Sequence, residues 1–254
     1  MPIAIVTGGN SGIGRATVVL FAERGYDVGF TWHSDEENVE ETLAEARTFG
    51  VRAEARQMDL SEGPEATSAI DELIDALGGV DAFVNNAGTG HEDPFLELPL
   101  GTFREILEVD LIGAFLCAQR AARHMVEHSV EGRIINVTSV HEHVPLPQST
   151  AYVVAKHGLG GMTKNMAIEL AEHGISVNSV APGEIATKMT GQEDQDPSES
   201  ERPAIPFKRP GHAREIASAI VWLASPDARY TTGQSIVVDG GMVQNPAVAN
   251  QLVT

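Results

Sequence analysis

Seven short, nearly continuous apolar runs mark the chain: IAIVT, YDVGFTW, VRAEARQMDL, VDAFVNNAG, GRIINVTS, GISVNSVAPG and GQSIVVDGG. Most are separated by segments whose apolar positions recur at the helical period. A strand with one wet face alternates apolar and polar residues, so runs this continuous predict strands covered on both faces. The expected fold is α/β, a doubly wound parallel sheet with helices above and below and a ligand crevice at the carboxyl ends of its strands. No repeat or linker interrupts the pattern, and residues 1–254 are expected to form one domain. The one compositional break is GQEDQDPSESERPAIPFKRPG, Gly191 to Gly211, which is polar, acidic and proline-bearing. Long irregular inserts in compact domains are functional or disordered.

Charge narrows the partners. With 36 acidic against 17 basic residues the formal charge is −19, which argues against nucleic acid or an anionic membrane. The single Cys117 lies in an apolar helical stretch and is expected to pack, with no intrachain disulfide. No apolar run reaches membrane length, and the first strand begins too early to leave room for a signal peptide, so a cytoplasmic protein is expected. Asn136-Val137-Thr138 has the form of a glycosylation acceptor but reads as buried strand.

The chemistry is carried by Ser139, Tyr152 and Lys156. Tyr152 and Lys156 are four apart at the start of a helical stretch, so they share a face and the ammonium sits beside the phenol. A free phenol keeps its proton to pH about 10. A cation at roughly 4 Å and an effective dielectric of about 20 favours the phenolate by about 4 kcal/mol. At about 1.4 kcal/mol per unit this is a shift of up to about three units, towards the range where general acid–base catalysis works. Ser139, at the end of the strand-like RIINVTS, is suited to hold the substrate oxygen that Tyr152 protonates.

TGGNSGIG from Thr7, NNAG from Asn85, Ser139, Tyr152 with Lys156, PGEIAT from Pro182 and VDGG from Val238 stand in one order, and the chain resembles the short-chain dehydrogenase/reductase family along essentially its whole length. Within it, SVHEHVPLP is most similar to bacterial glucose 1-dehydrogenases and acetoin-type reductases. The resemblance implies a Rossmann sheet, NAD(P)(H) as cofactor, a small carbonyl or secondary alcohol as substrate, a homotetramer, and a lid over the substrate at about 188–212. It needs no metal. The related enoyl reductases expect a wider tyrosine-to-lysine spacing.

In the glycine motif, Gly8 permits the turn, Gly12 lets backbone approach a pyrophosphate, and Gly14 allows close helix packing, while Ile13 anchors the helix. Asn10 and Ser11 can bond the phosphate or the loop. The resemblance puts Asp59, with Leu60, at the adenine, and Asn85, Asn86, Ala87 and Gly88 along the ribose. It puts Pro182, Gly183, Ile185 and Thr187 at the nicotinamide end. Asp59 also reads as a turn or cap residue. An NAD enzyme offers an acid after the second strand, whereas here Trp32-His33-Ser34 stands there and Asp35 and Glu36 read as helix start. NADP(H) is therefore favoured, with NAD(H) still open, because His33 is a weaker cation than arginine.

One departure from the family is Asp110 in EVDLIGAF, read as helix, where a relay asparagine is expected; its carboxylate can still serve the relay. His91, His141 and His143 are expected to border the pocket, the latter two touching substrate or loop backbone; HEH alone is weak as a metal motif. Two functions follow: a hydride-transferring oxidoreductase with a tyrosine acid/base, and a catalytically silent NAD(P)-binding sensor or scaffold. The second would require decay of Ser139, Tyr152 or Lys156, and all three are intact.

Overall fold

The first strand, β1 (Ile3–Val6), shows what the continuous apolar runs are for. Ala4 and Val6 join one core with Val18, Phe21 and Ile220, whereas Ile3 and Ile5 join another with Leu73, Leu77 and Met125. Successive strand residues point to opposite faces, so apolar residues at every position are required only when both faces are buried. The computed structural model, which describes residues 1–187, 190–192 and 196–245, is built on such a sheet.

After β1 come α1 (Gly12–Glu23), β2 (Asp27–Trp32), α2 (Glu36–Arg47), β3 (Ala53–Gln57), α3 (Ser68–Leu77), β4 (Ala82–Asn85), α4 (Leu100–Leu107) and α5 (Ala114–Glu127). The second half contains β5 (Arg133–Val137), α6 (Thr150–Glu169), β6 (Ser176–Pro182), β7 (Ile185–Ala186), β8 (Gly211–His212), α7 (Ala213–Ala224) and β9 (Ser235–Val238). Seven strands pair in the order β3-β2-β1-β4-β5-β6-β9, every pair parallel. Residues of α1, α2 and α7 fill one core; residues of α3, α5 and the end of α6 fill the other. The expected doubly wound Rossmann sheet is present, and each of the seven predicted runs supplies one of its strands. Strand order reverses between β1 and β4, which opens the crevice at their carboxyl ends.

EVDLIGAF does not continue as a plain α-helix. A π-helical turn, Glu108–Gly113, joins α4 to α5 and buries Asp110. Such one-turn widenings recur at functional sites, where they re-aim a side chain.

A buried polar chain ties the sheet to α6. Asn85 Nδ2 donates to Asn136 Oδ1 (2.8 Å) and to the Ala114 carbonyl (3.0 Å), and Asn136 Nδ2 donates to Thr163 Oγ1 (2.8 Å). Asn136 is wholly buried, as its reading as strand requires. Cys117 is also buried, and its burial pushes the thiol up to about 12. Among the described residues no helix is long and apolar enough to cross a membrane.

Of the expected lid, residues 188–189 and 193–195 lie outside the described residues, as does the tail from 246. The described part is pinned at several points. Its base is closed by β7 pairing with β8. Gln192 Nε2 (3.0 Å) and Arg202 Nε (2.5 Å) both donate to Glu184 Oε1. Ile205 is buried near Gly240 and Pro206 lies by Gly241, but Phe207 is 72% exposed. Of these three residues only Ile205 is buried.

Candidate active site

The glycine loop between β1 and α1 is a cradle defined by what cannot fit in it. A Cβ on Gly14 would lie 2.0 Å from the Gly8 carbonyl oxygen and 2.5 Å from Asn86 Nδ2, so α1 can press onto the strand end only as glycine. Gly12 sits at φ +51 facing Thr187, a conformation side-chain-bearing residues rarely adopt. Ser11 precedes α1 without capping it by its side chain, which leaves first-turn N–H groups to meet an anion at the positive end of the helix. These are the features a pyrophosphate needs.

Two residues brace this loop. Asn86 Nδ2 donates to the carbonyls of Thr7 (2.9 Å) and Gly8 (3.1 Å), and the N–H groups of Asn86 and Ala87 both donate to Thr7 Oγ1 (2.9 Å). Asn10 Nδ2 donates to the Ser34 carbonyl (2.7 Å), so its role is to tie the glycine loop to the turn after β2. Asn85 is corrected: it turns inward to the polar chain, and Asn86 carries the cleft-facing position.

A cleft of about 490 Å³ runs along the carboxyl ends of the strands, within the range of small-molecule and cofactor sites. It is lined at one end by His33, Ser34, Asp59 and Leu60, and in the middle by Gly8, Asn10, Ser11, Gly12, Ile13, Gly14, Asn86, Ala87 and Gly88. Pro182, Gly183, Ile185 and Thr187 flank the far end with Asp110, Ser139, Tyr152 and Lys156. Apart from Asn85 and the three histidines His91, His141 and His143, each site residue expected from the sequence borders this one space. Thr89, Glu105, Val109 and Thr138 border it as well and went unmarked in the sequence, because none belongs to a glycine motif or a reactive pair.

Ser139 lies two residues past β5 and caps the short turn Val140–Glu142, where its Oγ accepts the His141 N–H at 3.1 Å. A hydroxyl that accepts there has its own hydrogen free to donate, which suits it to a carbonyl oxygen. Lys156 lies one helical turn beyond Tyr152 on α6, its Nζ 5.3 Å from the centre of the phenol ring. That Nζ is also 3.1 Å from Asp110 Oδ2, an ion pair lacking the alignment of a hydrogen bond. Asp110 Oδ1 accepts the Thr89 N–H at 2.7 Å. Burial pulls the Lys156 ammonium down, but Asp110 and then Tyr152 outweigh it and hold the lysine above its ordinary value.

The histidines divide. His141 packs edge-on to Tyr152 and engages the Val144 carbonyl through Nδ1 (3.1 Å); burial, against that bond, holds it below its ordinary value. His143 points away, to Ser235 Oγ on β9 at 3.0 Å, and His91 pairs with Asp93 outside the cleft lining. At the other end Asp59 does act as a cap: it accepts from Ser61 N (2.8 Å) and Oγ (2.6 Å), while its second oxygen lies 3.3 Å from His33 Nε2. The Ser61 bonds, more than His33, hold its carboxyl below the usual range.

Comparison with known proteins bears on the family. The family model described as enoyl-(acyl carrier protein) reductase matches residues 8–243. The uncharacterized oxidoreductase YohF of Escherichia coli (strain K12) is 53% identical over 96% of this chain and 97% of its own length. Glucose 1-dehydrogenase 2 of Bacillus subtilis (strain 168) is 35% identical over 96% of this chain and 95% of its own. The crystal structure of acetoin dehydrogenase YohF from Salmonella typhimurium superposes with a TM-score of 0.92 at 55% identity, covering 96% of each chain. Motif order, sheet topology and these relatives together make the chain a member of the short-chain dehydrogenase/reductase family, an NAD(P)-dependent oxidoreductase.

Proposed function

We propose that the protein interconverts a small carbonyl compound and its secondary alcohol, with Tyr152 as general acid/base. The observation that carries this reading is the meeting of Ser139, Tyr152 and Lys156 in the cleft that the glycine loop also lines. When bound, the nicotinamide supplies a hydride to the carbonyl carbon, or accepts one from the alcohol. In reduction, Ser139 donates a hydrogen bond to the substrate oxygen and fixes its position. Tyr152 passes its proton to that oxygen, so the carbonyl π bond is replaced by a C–H and an O–H bond. Lys156 stabilises the phenolate left behind, and Asp110 keeps the ammonium in place. NADP(H) is the favoured nucleotide, since Trp32 stands where a ribose-binding acid would be.

The substrate reading is a small hydroxyketone or diketone. It is supported by the 55% identity to an acetoin dehydrogenase against 35% to a glucose 1-dehydrogenase. The name of the matching family model raises enoyl reduction as a second reading; the four-residue step from Tyr152 to Lys156 speaks for the carbonyl reaction. A homotetramer is part of the proposal, as is a lid over the substrate. The deciding experiment follows nicotinamide absorbance with a panel of diketones, hydroxyketones, sugars and an enoyl thioester, each with both nucleotides. Turnover of diketones or hydroxyketones is expected. Turnover of the enoyl thioester alone, or of nothing while nucleotide still binds, would overturn it.

A further inference from the structure

Glu142 puts a carboxyl group in the interior that the proposed chemistry does not use. Its side chain is 4% exposed, and Oε1 has no hydrogen-bond partner among the described residues. Oε2 accepts Ser179 Oγ of β6 at 3.4 Å, longer than an ordinary O–H···O bond. His143 Nε2 stands 3.9 Å from Oε1 and engages Ser235 Oγ instead, at 3.0 Å. A buried carboxyl group so poorly satisfied costs stability rather than adding to it, and its presence needs another reason. That reason lies in what surrounds it. Glu142 closes the turn that Ser139 caps: its N–H donates to the Ser139 carbonyl at 2.9 Å, while Ser139 Oγ accepts from the His141 N–H. The carboxyl group rests on Gly160 of α6, where an added Cβ would lie 2.6 Å from Oε1 and 2.7 Å from Cδ. Glycine is a poor residue for the middle of a helix, and here it makes room for the contact. Gly160 is one turn past Lys156, which is one turn past Tyr152, so Glu142 leans on the helix stripe that carries both.

We infer that Glu142 is a positioning residue for the proposed reaction, a polar peg between α6 and β6 that sets Ser139 in register with Tyr152 and Lys156. The inference rests on the carbonyl reading of the site. A hydrogen-bonded side chain fixes how far the turn can slide along the helix, whereas an apolar one of similar length packs there at several offsets. Buried polar groups are best attested in this registering role, and replacing them with apolar residues often leaves stability unchanged or raised. Reacting groups need their supports held to about 0.5 Å, and a displacement of about 1 Å lowers turnover by roughly a hundredfold. Glu142 acts through Ser139 and touches neither the substrate nor the nucleotide cleft.

The test compares Glu142→Met, Glu142→Gln and Gly160→Ala with the wild-type protein by three readouts: kcat on the diketone or hydroxyketone turned over best, the dissociation constant of NADP+, and the melting temperature. Glu142→Met should lower kcat by roughly tenfold to a hundredfold while the melting temperature holds or rises and NADP+ binds within twofold of wild type. Gly160→Ala leaves Glu142 in the chain and favours the helix, yet its Cβ displaces the carboxyl group, so kcat should fall there too. Glu142→Gln keeps the shape and an oxygen for Ser179 and should hold kcat within a few-fold. A kcat within twofold of wild type in either Glu142→Met or Gly160→Ala would overturn the inference. So would a melting temperature several degrees lower in Glu142→Met, which would make the carboxyl group a stabilising one, or a Gln variant as slow as the Met variant, which would make charge the operative property. No turnover by the wild-type protein while NADP+ still binds would instead overturn the carbonyl reading itself.

Discussion

Lys156 Nζ and Asp110 Oδ2 form an ion pair 3.1 Å apart with side chains 5% and 0% exposed, and its two members arrive on different elements, α6 and the π-helical turn. Removing one partner of a buried pair leaves a charge with neither water nor counter-ion. Asp110→Ala should therefore destabilise the protein by about 3–5 kcal/mol. Asp110→Asn, which keeps an acceptor for Thr89 N–H, should cost less. Urea denaturation of both variants is the check; equal and small losses would mean that Asp110 does not compensate the lysine.

Tyr152→Phe removes the only hydroxyl proposed to exchange a proton with substrate and little else, since the ring keeps its edge contact with His141. Turnover should fall by roughly 10²–10⁴-fold, the usual contribution of a general acid, while nucleotide binding and thermal stability stay near wild type. Steady-state kinetics on the best substrate of the panel measure this. Turnover within a few-fold of wild type would refute the role.

The strands were legible because burial on both faces leaves a mark at every position, as in IAIVT and RIINV. The cleft was legible through residues whose chemistry demands a type, such as Gly14, or a spacing, such as Tyr152 and Lys156. Directions were not. Asn85 and Asn86 are adjacent and identical in kind, and only the alternation at the end of β4 sends one inward to Asn136 and the other to the glycine loop. His141 and His143, inside and just past the short helical turn Val140–Glu142, also diverge, one to the Val144 carbonyl and the other to Ser235 Oγ. The π-helical turn has no compositional signature, since one extra residue in a turn changes geometry without changing residue type.

His141 gives a pH dependence with a definite sign. Its folded value is held below the ordinary one, first by burial, so the unfolded chain takes up the proton more readily. Stability from this group is intact above the unfolded imidazole range, about pH 6.5, and is lost as pH falls below it. Melting temperatures measured from pH 8 to 5 should decline less steeply in His141→Gln than in wild type. His124, lowered by burial as well, keeps some slope in both. Parallel curves would show that His141 titrates alike in the two states.

The homotetramer rests on apolar residues that the sheet leaves uncovered. On α6, Ile168 is 78% exposed and Val154 is also exposed, on the side away from buried Leu159 and Ala167; Phe115 on α5 and Trp222 on α7 are exposed too. Helices apolar beyond their core stripe need partners, and soluble chains supply them most often through two-fold contacts. Light scattering at micromolar concentration should give about four subunits for wild type, and Ile168→Glu should lower that number without unfolding the chain. A monomeric wild type would remove the proposal.

Glu184 gives the lid a measurable latch. It stands just before β7, and one of its carboxylate oxygens receives both Gln192 and Arg202, one from each side of residues 193–195. Among the described residues of this segment the buried apolar ones are Pro197, Ile205 and Pro210, so the polar latch carries much of the ordering against chain entropy. In Glu184→Ala the segment should open more often, and limited proteolysis without nucleotide should cleave between Gly191 and Gly211 several-fold faster than in wild type. Adding NADP(H) should suppress cleavage in wild type and less completely in the variant, and KM should rise more than kcat falls, because closure over the substrate is what is weakened. Equal resistance in both proteins, with and without nucleotide, would make the segment a fixed wall and Glu184 a structural contact only.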